Sequence, residues 1–351
     1  MSKSAALVSD QGQLALMTIP APLPDACCVG IEVSYSAMSV GTESAIRVST
    51  RPLSVLQAAA KKIRRVRELG VLRSLRTFQK VWSGVQPLGY SVMGQVTHVG
   101  AYVAHVEVGD WVLATGAGYA IHAGQVVVPG IYVVKVPHED IRYAFGGLLT
   151  IGINSLNKAR PYLADSVAIV GGGIIGWVTA ECFRLAGCDV TLVEVDNRVR
   201  RLWSERYAVS ESLSQTFHHV ILCAVSAELV AAAQHAVLGH GSIGIVGYGP
   251  VLLDRESLES KQFRLWCTNA YGDLANHADY AMLVEEELLE GELPTSTHHN
   301  LDRAKWVAEH AVLDRYVLCD PSRIADIQDV LDEKKALTVV LDWKSWRAHS
   351  R

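Results

Sequence analysis

The order of apolar and polar positions changes character near Pro161. Before it, short apolar runs alternate with turn residues. Ala26–Tyr35 (ACCVGIEVSY) reads as a buried strand, and Val96–Val99, Trp111–Ala114 and Val126–Val128 read as further strands, with Gly109-Asp110 and the glycine-rich run 116–118 as turns. One stretch departs from this pattern: Leu53–Val81 sets Leu, Val and Ile at helical spacing among many Lys and Arg, which predicts one or two amphipathic helices broken near Gly70. After Pro161, all-apolar strands alternate with helices. The strands are Ser166–Val170, Asp189–Val193, His219–Ala224 and Ser242–Val246. The helices are Trp177–Ala186, Arg198–Tyr207 and Glu228–Val237. Strands joined through helices of that length form β-α-β units on a parallel sheet. The apolar run Ala336–Leu341 predicts a last strand that returns to the β-rich part.

The 351 residues fit two domains, one interrupting the other. Half of the residues are hydrophobic and 19% are charged, enough for a large core and too apolar for a disordered chain. With 32 Lys+Arg against 36 Asp+Glu the net charge is −4, which favours neither nucleic acid nor an acidic membrane as partner. No apolar run reaches the roughly 20 residues of a membrane span. The N-terminus lacks the apolar segment of a signal peptide. Seven cysteines without a C-x-x-C pair predict reduced thiols in a cytoplasmic protein.

Gly171, Gly173 and Gly176 form G-x-G-x-x-G directly after a buried strand and at the start of a helix. Gly171 allows the tight turn and Gly173 lets the backbone approach a pyrophosphate. Gly176 permits close helix–strand packing, and the amides of Ile174 and Ile175 face the negative charge. Glu194 ends the next strand, where a carboxylate accepts the ribose hydroxyls of adenosine and repels a 2′-phosphate. Arg198 and Arg200 are placed to pair with such a phosphate. NAD(H) is favoured over NADP(H).

Further motifs extend the pattern. Gly41-Thr42-Glu43, Gly89-Tyr90-Ser91-x-x-Gly94, Val108-Gly109-Asp110-Trp111-Val112 and the ending Lys335-Ala336-Leu337 to Leu341-Asp342-Trp343 resemble motifs of the medium-chain dehydrogenase/reductase superfamily, the zinc alcohol dehydrogenase-like proteins. The resemblance covers nearly the whole chain. It implies an α/β architecture: a GroES-like β-rich catalytic domain over residues 1–150, regained at 305–351, with an inserted Rossmann doubly wound parallel-sheet domain over 151–304. It also implies a homodimer through the sixth Rossmann strand, and a nicotinamide held near Thr150 and the Gly247-Tyr248-Gly249 turn. The basic segment before Gly89 is similar to a subgroup from sugar-polymer and secondary-metabolite pathways, and the turn 39–43 is similar to that of bacteriochlorophyllide dehydrogenase.

The departures bear on the chemistry. Val40, Tyr90, Ser91 and Gly146 stand where the family carries its zinc ligands, and the four-cysteine lobe is missing, so no metal is expected. In the absence of a Lewis acid, Tyr90 is the candidate hydrogen-bond donor to a carbonyl or imine. Thr42 matches the family's proton-relaying hydroxyl. Glu43 orients Tyr90 or a water, or serves as a base. His122 is read as structural, His218 and His219 as surface residues, and His298-His299 as a loop pair without a third ligand. The basic residues of segment 61–80 are read as a solvated helix face or a cover that attracts an anionic substrate.

The implied activity is a zinc-independent hydride transfer between a nicotinamide and a carbon lying between the two domains. The substrate is a small-molecule carbonyl, imine or conjugated alkene in a specialised pathway of secondary-metabolite type. The alternatives are oxidation of a hydroxyl on a sugar or bacteriochlorophyllide-like substrate, and a non-catalytic dinucleotide-binding scaffold or sensor.

Overall fold

A computed structural model describes residues 3–22, 25–41, 43, 85–268, 295–332 and 336–349. The helices expected over Leu53–Val81, the basic segment 61–80 and Thr42 lie outside the described residues. The chain forms two compact units, Met1–Phe145 with Arg315–Arg351, and Gly146–Asp314. The sequence reading set these borders at 150/151 and 304/305. The difference at the first border is the helix Gly146–Ala159, which the second unit contains whole.

The first unit is β-rich. A seven-stranded sheet is centred on Cys28–Ala37, which pairs antiparallel with Ser91–Val99, Gln125–Pro129 and Thr338–Asp342. Cys28–Ala37 is buried along nearly its whole length, which explains its unbroken run of Cys, Val, Ile and small residues. A smaller sheet of Lys3–Asp10, Gln13–Pro20 and Val85–Pro87 lies beside it, bridged through Ala6 and Ala123. The C-terminal segment thus returns to the first unit as a strand, and it ends in the helix Trp343–His349.

The second unit is a six-stranded parallel sheet in the order Ala208–Ser210, Asp189–Val193, Ser166–Val170, Phe217–Leu222, Val237–Ile245, Arg264–Cys267. Numbered along the chain, that order is 3-2-1-4-5-6, the doubly wound arrangement whose ligands bind outside the carboxyl ends of the strands where the order reverses. The third and sixth strands are too short to be seen in the sequence pattern. Helix bounds shift by a few residues: Ile174–Leu185, Asn197–Trp203 and Ala227–Ala236 are the observed helices. The last of the core around Val220, Leu222, Val230, Val237 and Ile243 is fully buried.

His219 corrects the sequence reading. It is not a surface residue: only 4% of it is exposed, and its ring lies between Ser242 Oγ (2.8 Å) and Asp165 Oδ2 (3.2 Å). Its neighbour His218 is exposed, because successive strand residues face opposite sides. Burial pushes the His219 imidazole below its ordinary range, against the pull of Asp165. Burial also pushes the Asp165 carboxyl up, but the Tyr162 amide and the two histidines outweigh it and hold that carboxyl below the usual range.

A folded-state imidazole pKa below the unfolded one means that the unfolded chain binds the extra proton. His219's contribution is therefore complete above the unfolded value of about 6.5 and declines as pH falls through the window beneath it. Denaturant unfolding of the wild type should show stability falling from pH 7 toward pH 5, about the range in which histidine titrates. His219→Asn should flatten that part of the profile. An unchanged slope in the variant would show that another group carries it.

Candidate functional site

The second unit supplies a phosphate-sized cradle at the end of its first strand. Gly171 adopts φ +103°, the left-handed region, and its amide donates to Val193 O at 2.8 Å, which ties the turn to the neighbouring strand. A Cβ on Gly176 would lie 1.8 Å from Gly171 O, so the helix Ile174–Leu185 can pack on the turn only with glycine there. A Cβ on Gly173 would meet nothing within 4 Å, so the backbone at that point faces open space. Gly173 is the helix N-cap and offers no side-chain cap, so it leaves the first-turn amides uncapped. An open backbone face beside uncapped amides fits the pyrophosphate of a dinucleotide.

Glu194 is bound to this loop. Its Oε2 accepts the Gly172 amide at 2.8 Å and its Oε1 the Asp196 amide at 2.9 Å. Trp203 donates its indole N–H to Gly172 O at 3.0 Å from below. Of the two arginines, Arg200 is committed to the carbonyls of Glu194 and Val195 at 2.6 and 2.7 Å. Arg198 is 69% exposed and rests on Asp196. Gly247 packs tightly, since a Cβ there would sit 2.4 Å from Cys223 O, while Tyr248 beside it is 96% exposed. Thr150 is fully buried, and its hydroxyl donates to Gly147 O at 2.7 Å inside its own helix.

In the first unit, Glu43 is 2% exposed and sits near the end of the strand Cys28–Ala37. Its Oε1 accepts the Ser39 amide at 3.1 Å and lies 2.8 Å from His122 Nε2. The other face of that imidazole, Nδ1, lies 2.9 Å from Ser36 Oγ, which also accepts the Trp343 indole N–H at 2.9 Å. His122 is held from both sides by backbone bonds, His122 N to Leu88 O and Leu7 N to His122 O, each 2.8 Å. Gly89 lies against the ring: it has φ +93°, and a Cβ there would be 2.7 Å from His122 N, Cγ and Nδ1. Tyr90 follows at once and is buried, with its carbonyl accepting from Thr115 Oγ1 at 2.8 Å and from the Gly116 amide at 3.1 Å.

The positions where the resemblance would place zinc ligands do not suit the metal. The Ser91 hydroxyl donates to Ala144 O at 2.5 Å, and Val40 offers no donor atom. Among the described residues no three His, Cys, Asp or Glu side chains come together as a ligand group. No two of the seven cysteines are joined in a disulfide.

Sequence reasoning named Glu43 and missed what holds it. Ser36, His122 and Trp343 lie 79 or more positions from their partners along the chain, on pieces that no local periodicity connects. The one signal in the sequence was His122 itself, which lies just ahead of the strand Gln125–Pro129.

The family model described as pyridine nucleotide-disulphide oxidoreductase matches residues 87–219, a stretch that contains the glycine turn and Glu194 and is less than half of the chain. Comparison with curated proteins found no match. Solved structures resemble the chain over nearly its full length. An alcohol dehydrogenase superfamily protein from Novosphingobium aromaticivorans is 17% identical with a TM-score of 0.69, covering 97% of this chain and 99% of its own. The quinone oxidoreductase from Coxiella burnetii is 16% identical with a TM-score of 0.65 and the same coverage. The alcohol dehydrogenase rspB from E. coli CFT073, solved with cofactor NADH, is 14% identical with a TM-score of 0.65, covering 97% of this chain and 100% of its own. These likenesses, all below 25% identity, show a fold shared with these dehydrogenase and oxidoreductase structures.

Because Gly89 combines a left-handed φ with contact on the His122 ring, Gly89→Ala should lower the stability of the first unit by about 1–3 kcal/mol, as overpacking does. Chemical denaturation followed by tryptophan emission checks this. An unchanged midpoint would mean that the His122 ring moves aside freely.

Proposed function

We propose that the chain is an oxidoreductase that binds a nicotinamide dinucleotide in its second unit and transfers a hydride to or from a small molecule without a catalytic metal. The observation that carries this reading is the cradle of Gly171, Gly173 and Gly176, with Glu194 bonded to its middle residue. The family model that matches this segment supports it, and so does a fold shared with an NADH-bound alcohol dehydrogenase and a quinone oxidoreductase.

When bound, the nicotinamide supplies or accepts the hydride, and the protein orients it and handles the proton. The amides that follow Gly173 hold the diphosphate. Glu194, already fixed by two backbone amides, accepts from the ribose hydroxyls and favours NAD(H). Arg200 is spent on carbonyls, which leaves Arg198 as the cation able to turn toward a 2′-phosphate. Thr150, Gly247 and Tyr248 are assigned to the nicotinamide end.

In the first unit, Tyr90 and Thr42 are the hydroxyl donors and Glu43 the acid–base group. The substrate is a carbonyl, imine or conjugated alkene, or in the reverse sense a hydroxyl compound. Cysteines that form no disulfide fit the reducing cytoplasm. The strand Arg264–Cys267 ends the sheet among the described residues, and it is there that a second copy would add to form a homodimer.

Fluorescence titration with NADH and NADPH, followed by initial rates with benzaldehyde, trans-2-hexenal and 9,10-phenanthrenequinone, tests the reading. NADH should bind more tightly than NADPH, and Glu194→Ala should narrow the difference. Gly176→Ala, which drives a methyl into Gly171 O, should weaken NADH by about tenfold or more, equivalent to roughly 1.4 kcal/mol. Binding of neither nucleotide, or an unaltered affinity in folded Gly176→Ala, contradicts the proposal. Nucleotide binding with no turnover of any probe favours the scaffold reading instead.

A further inference from the structure

Among the described residues two acids, Glu43 and Glu181, are buried, and they and the partly buried Asp165 differ in one respect. Glu181, fully buried in the helix Ile174–Leu185, is satisfied at both oxygens. Tyr207 OH donates to Oε1, and Arg184 (2.8 Å) and the Val312 amide (3.2 Å) donate to Oε2. Asp165, beside His219, takes the Tyr162 amide at 2.7 Å on Oδ2 and is still reached by solvent, its side chain being 13% exposed. Glu43 takes two donors on Oε1 and, among the described residues, none on Oε2, which is buried. Leaving a charged acceptor unmade in the interior costs about 1–3 kcal/mol or more. An orphan of that kind is kept where an occupant completes it.

With Glu43 ionised and His122 neutral, the hydrogen bonds behind Glu43 can run in only one direction. The indole N–H of Trp343 can only donate, so Ser36 Oγ accepts it. An ionised Glu43 has no proton to give, so His122 Nε2 carries one and donates it to Oε1. Nδ1 of the neutral ring is then an acceptor, and the Ser36 hydroxyl donates to it. The chain Trp343–Ser36–His122–Glu43 therefore runs one way, ends on Oε1 and leaves Oε2 as its open terminus.

We infer that His122, backed by Ser36 and Trp343, is a positioning residue that sets Glu43 Oε2 as the acceptor of the proton from a hydroxyl-bearing occupant. The inference rests on the hydride-transfer reading above. In the oxidative sense the occupant's O–H bond breaks and its proton goes to Oε2. The hydride that leaves the carbinol carbon would be taken by the oxidised nicotinamide of the proposed reading, and the C–O bond becomes a double bond. In the reductive sense protonated Oε2 returns the proton to the oxygen as the carbon accepts the hydride. His122 keeps its own proton throughout and holds Oε1 in both states.

Two arms test this. With the probe that turns over, His122→Ala should lower kcat about 10²-fold, the lower end of what proton transfer contributes, and leave the NADH KM unchanged. His122→Gln, whose amide still donates to Oε1, should recover about a tenth or more of the wild-type kcat, a rescue that mere packing would not give. Should His122→Ala fail to fold, Ser36→Ala, which removes the donor to Nδ1, should lower kcat with the same unchanged NADH KM. A kcat in these variants close to wild type, or His122→Gln as slow as His122→Ala, overturns the inference.

The second arm needs no turnover. Long-range 15N spectra of the histidine-labelled protein should show His122 protonated at Nε2 only, and a proton on Nδ1 alone overturns the chain. If no probe turns over, the hydride-transfer reading fails by itself, and the tautomer still decides whether the chain exists as described.

Discussion

A carboxylate taken out of water must be matched by donors, and the arrangement of the first unit around Glu43 follows from that constraint. His122 brings a donor to Oε1, and its ring lies so close to residue 89 that glycine, here with a positive φ, is required there. To fix the ring, Ser36 from the central strand and Trp343 from the C-terminal helix must meet over Nδ1. The C-terminal segment is tied to the rest of the first unit by the pairing of Thr338–Asp342 with Cys28–Ala37, by the indole hydrogen bond, and by further bonds such as Arg347 Nη1 to Val33 O at 2.7 Å.

The second unit solves a different problem with the backbone alone. Its glycine turn offers amides and open space where a side chain would obstruct, and the neighbouring carboxylate is held by amides rather than by arginine. One unit carries negative charge on a rigid carboxylate, and the other presents backbone N–H groups to an anion. On the reading proposed above, the two would share the work of a cofactor enzyme, the cofactor supplying the redox step and the protein the positioning and the proton.

How much of this was legible depended on distance along the chain. The turn Gly171–Gly176 and Glu194 could be read because strand, turn, helix and acid follow one another within a single β-α-β unit. The helix Gly146–Ala159 was missed because its four glycine-rich opening positions look like a loop, and the strands Ala208–Ser210 and Arg264–Cys267 because so few residues carry no periodicity. His219 was misplaced because its neighbour faces solvent, and only the sheet reveals which member of an alternating pair points inward. His122 was seen and given a structural part. What it touches lies at residues 36 and 43, and only the folded sheet brings those positions together.

The central claim is that this chain moves a hydride between a nicotinamide and a substrate carbon while its own side chains move the proton. Incubation with NADH deuterated at C4, followed by mass spectrometry of the reduced probe, tests it most directly. The account predicts one deuterium bound to carbon in the product and a solvent-derived proton on the heteroatom or adjacent carbon. A product whose new carbon-bound hydrogen comes from solvent, or no reduced product with any probe, would contradict it.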